Sequence, residues 1–310
     1  MQRFKQKIAM YLARSAAVDD NSFTIGDCTI KNLRLLQRKN SDTLGKVGML
    51  SWVASMDGSK VKVYECRSVK HAKFIEELSN DERISQYLPK CLFRKNEFVI
   101  VEWVEGRMVT WKEISQEQKL MSQMSNIHSS FHSLSTEYWP AEKCYLLDYF
   151  ENRFNRFRSV LPVDEFVDRI FSIFNEKTPT VTESLSHPDI TPVNVIVDRV
   201  SGEMKVIDND LFTQSSYYLI DIFTTYRSIG IDRPNDILKK YLSLYIEQGG
   251  ELWPLVDFED FFQALWCYRV VGTCLQEGNI QQALDTVDSF LQKNIPTHPV
   301  IQTIKHEKLY

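Results

Sequence analysis

The chain has 310 residues, 43% of them hydrophobic, enough to bury a sizeable core and to divide into two lobes. Its 37 Lys and Arg against 41 Asp and Glu leave a formal net charge of −4, which excludes the overall basic footprint of a nucleic-acid binder. Six cysteines without a Cys-x-x-Cys pair exclude a zinc ribbon or a dithiol redox motif, and no apolar run approaches the roughly 18 residues of a transmembrane helix, so a cytoplasmic protein with reduced thiols is expected.

Residues 1–18 hold Arg3, Lys5, Lys7 and Arg14 without an acid, interleaved with Phe4, Ile8, Tyr11 and Leu12. The pattern fits an amphipathic helix docked on the body of the protein, with a membrane-surface or targeting segment as the alternative. A first hairpin is expected between Leu33 and Val63. Ser59 to Glu65 alternates as a strand, and Val69 to Leu78 has helical apolar spacing. Phe98 to Val101 is an apolar strand that runs into a polar exit ending at Gly106, where the lobe boundary is placed.

Helical spacing then covers Trp111 to Leu134, with His128 and His132 four apart. Such a pair can bind zinc, but no His-Glu-x-x-His and no third ligand accompany it, so a packing role is preferred. Asp148 to Glu176 reads as two helices parted near Pro162. Ile237 to Ile246, Phe258 to Gln276 and Ile280 to Lys293 follow, the last closing the domain. Their aromatic stripes read as core, although Trp253, Trp266 and Tyr268 suit a pocket for a cation or a sugar as well.

The chemistry concentrates between Ser186 and Asp210. His187, Asp189 and Asn194 set a carboxylate and an amide five positions apart on an expected loop. Val195 to Val197 and Met204 to Ile207 are strand-like, and the polar stretch between them, with Gly202, reads as a hairpin connection. Asn194 and Asp208 are each seven positions from Ser201, so a hairpin centred there brings them side by side. An amide oxygen and a carboxylate suit Mg²⁺, which takes one or two protein oxygens plus substrate phosphates. Asp189 then lies within reach of the same phosphate as a separate base. These are the parts phosphoryl transfer requires.

His-x-Asp, an Asn five positions after that Asp, and Ile-Asp-x-Asp at the end of a hairpin resemble the aminoglycoside phosphotransferase and choline kinase group. The resemblance implies an α+β, two-lobed protein-kinase-like fold. Residues 1–105 would form a small antiparallel-sheet nucleotide-binding lobe, and 106–310 a larger, mostly helical lobe for catalysis and the acceptor. It implies ATP as phosphate donor, Asp189 as catalytic base, and Asn194 and Asp208 as ligands of Mg²⁺, with His187 and Asp210 in support. Asp221 looks like the Asp that opens a helix and braces the catalytic loop; a helix N-terminal acid is favoured by the dipole in any case. Pro188 stands where the group most often has Gly, a change that removes no catalytic group.

The same resemblance points upstream. Lys62 looks like the strand lysine that holds the ATP phosphates, with Lys60 on the same face as the alternative. The fold places a Glu partner on the following helix, where Glu76 and Glu77 compete and Glu77 lies nearer the apolar edge. The backbone at Glu102 and Val104 looks like the hinge that meets adenine, and Asn40 to Gly48 like the loop over the phosphates. No Gly-x-x-x-x-Gly-Lys-Ser/Thr and no Gly-x-Gly-x-x-Gly occurs. Only twelve residues separate Asp208 from Asp221, and no Ala-Pro-Glu follows, so a small-molecule hydroxyl acceptor is expected rather than a polypeptide. An aminoglycoside, an amino alcohol and a sugar are the candidates. The alternatives are a catalytically silent kinase-like module that binds nucleotide or a partner, and an atypical protein kinase.

Overall fold

The computed structural model describes residues 22–25, 28–35, 51–66, 68–134, 164–177, 183–187, 189–209, 212–215, 218–229 and 235–310. The expectations for residues 1–18, for Asn40 to Gly48, for the helix before Pro162 and for Asp210 lie outside them.

Strands β1 (Ser22–Ile25), β2 (Cys28–Leu35), β3 (Ser51–Met56), β4 (Ser59–Glu65), β5 (Cys91–Lys95) and β6 (Phe98–Glu102) form one antiparallel sheet in the order β1-β2-β3-β4-β6-β5. Side chains alternate between its faces. Val61 and Val63 face one side, where they cluster with Trp52, Ile100 and Phe98. Lys62 and Tyr64, opposite Val101 and Val99, face the other. Helix α1 (Val69–Asn80) covers this second face with Phe74, Ile75 and Leu78, and Ser68 caps it by accepting from His71 N at 3.0 Å. The pleat thus uses two valines as anchors and delivers Lys62 to the side shared with the rest of the chain.

After that sheet, β7 (Gly106–Met108) pairs with β9 (Val195–Asp198), which pairs in turn with β10 (Met204–Val206). Helices α2 (Trp111–Gln116) and α3 (Gln118–His132) replace the single expected helix, which breaks at the extended backbone of Glu117. After α4 (Asp164–Lys177), β8 (Ser184–Ser186) pairs with β11 (Thr213–Ser215). Then come α5 (Ile220–Ile229), α6 (Asn235–Glu247), α7 (Trp253–Asp257), α8 (Glu259–Glu277), α9 (Ile280–Leu291) and α10 (Pro299–Glu307).

Helix α10 corrects the expectation that the domain closes with the helix from Ile280. Pro296 and Pro299 read as breakers, yet Pro is favourable in a first helical turn. His298 accepts from Val300 N at 3.2 Å, and Val300, Ile301 and Ile304 are buried. The three aromatics named from sequence each pack on further rings. Tyr268 packs on Phe171 and Phe174, Trp266 on Phe223 and His298, and Trp253 on Phe258. Among the described residues no helix is long and apolar enough to cross a membrane.

Candidate active site

The hairpin is built from its turn outward. Asp198 Oδ1 accepts from Val200 N at 2.9 Å, Ser201 N at 2.7 Å and Ser201 Oγ at 2.9 Å, and these bonds, the Ser201 amide foremost, hold its carboxyl below the usual range. Gly202 takes the left-handed conformation at φ 69° that closes the turn. The ladder pairs Met204 with Val197, Lys205 with Ile196 and Val206 with Val195, and ends where Ile207 N donates to Asn194 O at 3.0 Å. Ile207, not Asp208, therefore lies opposite Asn194. The axis falls between Val200 and Ser201, half a step from the expected centre, and Asp208 follows as the chain leaves the ladder.

The loop before the hairpin folds on itself. Pro192–Asn194 form one 3-10 turn, which aims the Asn194 amide back along the loop, where Nδ2 donates to Asp189 O at 2.8 Å and to Asp189 Oδ2 at 2.9 Å. His187 is buried and joins the two acidic stretches. Its Nδ1 accepts from Asp189 N at 3.4 Å, and its Nε2 lies 3.0 Å from Asp208 O, so the tautomer with its proton on Nε2 serves both. Phe212 closes edge-to-face on the ring, 4.8 Å between centroids.

From the sheet, Lys62 Nζ donates to Ile207 O at 2.8 Å and meets Asp208 Oδ1 at 3.3 Å. Lys60 lies elsewhere, with Nζ 3.9 Å from the Trp103 ring centroid and 3.4 Å from Glu105. The expected pairing of Lys62 with Glu77 is not formed. Glu77 meets Lys73, one helical turn earlier, at 3.2 Å, and Glu76 meets Arg94 at 2.6 Å. Helix α1 instead reaches this region through His71, whose Nε2 lies 3.0 Å from Phe212 O. At the expected hinge, Glu102 N is already engaged, donating to Lys90 O at 2.9 Å. The Glu102 carboxylate pairs with Lys205 of β10 at 2.7 Å, and Val104 is buried.

Asp221, in the first turn of α5, is buried, and its Oδ2 accepts from His187 N at 3.2 Å. Burial pushes its carboxyl well above the ordinary carboxylate range. Two residues at this centre were not singled out as site residues from sequence. Arg269 of α8 brings Nη2 to 3.8 Å from Asp189 Oδ1. His132 of α3 brings Nε2 to 3.3 Å from Asp221 Oδ2. Arg269 had a signal, as the one charged residue between Phe261 and Leu275.

Among the described residues no cluster of three or more His, Cys, Asp or Glu could hold a metal ion. The donor set present is an amide and a carboxylate. Because Asn194 Nδ2 is committed to Asp189, the amide oxygen points away and makes no hydrogen bond among the described residues. Two hard oxygen donors fit Mg²⁺ that takes its remaining ligands from phosphates and water.

Neither a protein-family model nor a curated protein sequence matches the chain. Solved structures do match its fold. The choline kinase of Cryptosporidium parvum superposes with a TM-score of 0.57 at 11% identity, over 90% of this chain and 91% of that one. The choline kinase LicA of Streptococcus pneumoniae gives 0.57 at 13% identity, over 93% and 98%. A Plasmodium vivax ethanolamine kinase gives 0.54 at 10%, over 85% and 83%. The chain thus has the two-lobed, α+β protein-kinase-like fold of these small-molecule kinases.

Proposed function

We propose that the protein is an ATP-dependent phosphotransferase that moves the γ-phosphate to a hydroxyl of a small molecule. The observation that carries the reading is the convergence of Lys62, Asp189, Asn194 and Asp208, drawn from a strand, a loop and a hairpin, within one hydrogen-bonded centre. Asp189 accepts the proton of the acceptor hydroxyl, its carboxylate oriented by Asn194 on one oxygen and Arg269 on the other. Lys62 supplies positive charge for the phosphates, and the hinge backbone at Glu102 and Val104 takes the adenine edge. Asn194 and Asp208 would hold Mg²⁺, which when bound neutralises charge on the β- and γ-phosphates.

Nucleotide binding is supported by neighbouring structures of the same fold: LicA in complex with AMP, and an aminoglycoside phosphotransferase holding AMP-PNP and hygromycin B. A small acceptor is supported by the shortness of the segment between Asp208 and Asp221, part of which, Thr213–Ser215, is taken up in pairing as β11 with β8. Choline, ethanolamine and aminoglycosides are the acceptor types the neighbours' names carry, and a sugar hydroxyl fits the same chemistry.

The test is release of ADP from Mg²⁺-ATP across a panel of amino alcohols, aminoglycosides and sugars. Acceptor-dependent release, with phosphate found on the acceptor, is expected. Nucleotide binding without transfer to any acceptor would replace this reading with a silent nucleotide-binding module, and phosphate on polypeptides in a labelled lysate with a protein kinase.

A further inference from the structure

Beneath the catalytic loop, α3 and α6 face each other through two equivalent rungs. His128 and His132, one turn apart on α3, meet Tyr241 and Tyr245, one turn apart on α6. His128 Nδ1 contacts the Tyr241 hydroxyl, and His132 Nδ1 lies 3.0 Å from the Tyr245 hydroxyl. The imidazoles stack with centroids 5.7 Å apart, and all four residues are buried. Apolar residues could fill this space without the desolvation cost of four polar groups.

The rungs differ at the far nitrogen of the histidine. His128 Nε2 is buried and makes no hydrogen bond among the described residues. His132 Nε2 lies 3.3 Å from Asp221 Oδ2, the same oxygen that accepts the His187 amide at 3.2 Å. His187 in turn contacts Asp189 N and Asp208 O. A continuous chain therefore runs from Tyr245 through His132, Asp221 and His187 to both acidic stretches.

We propose that Tyr245 and His132 are positioning residues for the catalytic loop, acting through Asp221 on the His187 peptide. A neutral imidazole has one donor and one acceptor nitrogen. A hydroxyl donating to Nδ1 fixes the proton on Nε2, facing Asp221. Burial, which lowers His132 to about 3, keeps the ring neutral and so keeps this choice of tautomer meaningful at physiological pH. Partners one step removed from a reacting group orient it in this way, and losing one costs about 10–100-fold in well-studied sites. The kinetic consequence rests on the phosphotransferase reading; the consequence for the His187 amide does not.

Tyr245→Phe and Tyr241→Phe form a matched pair, each deleting one buried hydroxyl from the same helix face and the same kind of histidine contact. Hydrogen exchange of the His187 amide, read by NMR on the full chain, is expected to quicken about tenfold in Tyr245→Phe and to stay near wild type in Tyr241→Phe. Acceptor-dependent kcat should fall about tenfold in Tyr245→Phe alone, with KM for ATP within about twofold of wild type. Equal His187 exchange in the two variants overturns the proposal. Absence of turnover in the wild type would defeat the phosphotransferase reading and leave the exchange comparison to decide this one. Should Tyr245→Phe not fold, His132→Gln, which keeps a donor toward Asp221, is expected to protect the His187 amide and His132→Leu to expose it; equal exposure overturns the proposal too.

Discussion

Asp189 owes its orientation to two neighbours of unequal weight. Asn194 donates to it at 2.8 and 2.9 Å, whereas Arg269 stands 3.8 Å away and the Asp189 side chain is 41% exposed. An ion pair in such a setting is worth no more than about 1 kcal/mol, equivalent to roughly a fivefold change in rate. Arg269→Gln is therefore expected to lower kcat about fivefold, and Asn194→Ala by about a hundredfold or more, because it removes the clamp and the proposed metal oxygen together. Steady-state kinetics decides; an Arg269→Gln enzyme as damaged as Asn194→Ala would mean that Arg269 touches the reacting groups. Sequence shows Asp189, Asn194 and Asp208 because they occupy one short stretch at fixed spacing. Lys62 meets Asp208 across 146 positions, and its identity needed the alternation of β4 and a resemblance. The partner of Lys62 was not legible at all, since helical geometry allows Glu77 to be captured by Lys73 four residues away. His132 escaped because a buried histidine on an apolar helix face gives the same pattern whether or not it reaches a loop.

The elements that hold this centre follow from patterns of very different clarity. Helices α1, α6, α8 and α9 match the apolar spacing to within two residues at each end, apart from fraying, because each buries one stripe against a common core. The short strands β7, β8 and β11 have three residues each, too few for a periodic signal, and exist only through pairing. Among them β7 carries a strict requirement. A Cβ on Gly106 would overlap the Val197 carbonyl and the Ile196 side chain, so β7 approaches β9 closely enough that only glycine fits. Gly106→Ala is expected to destabilise the protein by about 1–3 kcal/mol, seen as a lower Tm, because a backbone carbonyl cannot swing aside as a side-chain tip can. An unchanged Tm would show that the two strands part without cost. Because β9 carries directly on from Asn194, the same substitution should also reduce turnover.

Several buried histidines tie the stability of the protein to pH. Burial holds His128 well below its ordinary value of 6.5 and takes His298 down to about 3. Below about pH 6.5 the unfolded chain protonates these rings and the folded chain does not, so stability falls as pH falls, by about 1.4 kcal/mol per pH unit for each ring. His132 acts in the same direction, while Asp221, raised by burial, acts in the opposite one, contributing stability at low pH that is lost as pH rises. The expected result is a Tm that declines steadily from about pH 6.5 to about pH 4 in thermal melts; a flat or rising Tm over that window would contradict the buried, neutral state of His128 and His298. The most direct test of the account as a whole compares wild type with Asp189→Ala, measuring the Kd of an ATP analogue with Mg²⁺ alongside phosphate transfer to the best acceptor. Transfer should drop by about 10²–10⁴ while Kd stays within about twofold, as expected for a base that does not hold the nucleotide. Wild-type transfer by the variant, or loss of nucleotide binding in step with transfer, would contradict it.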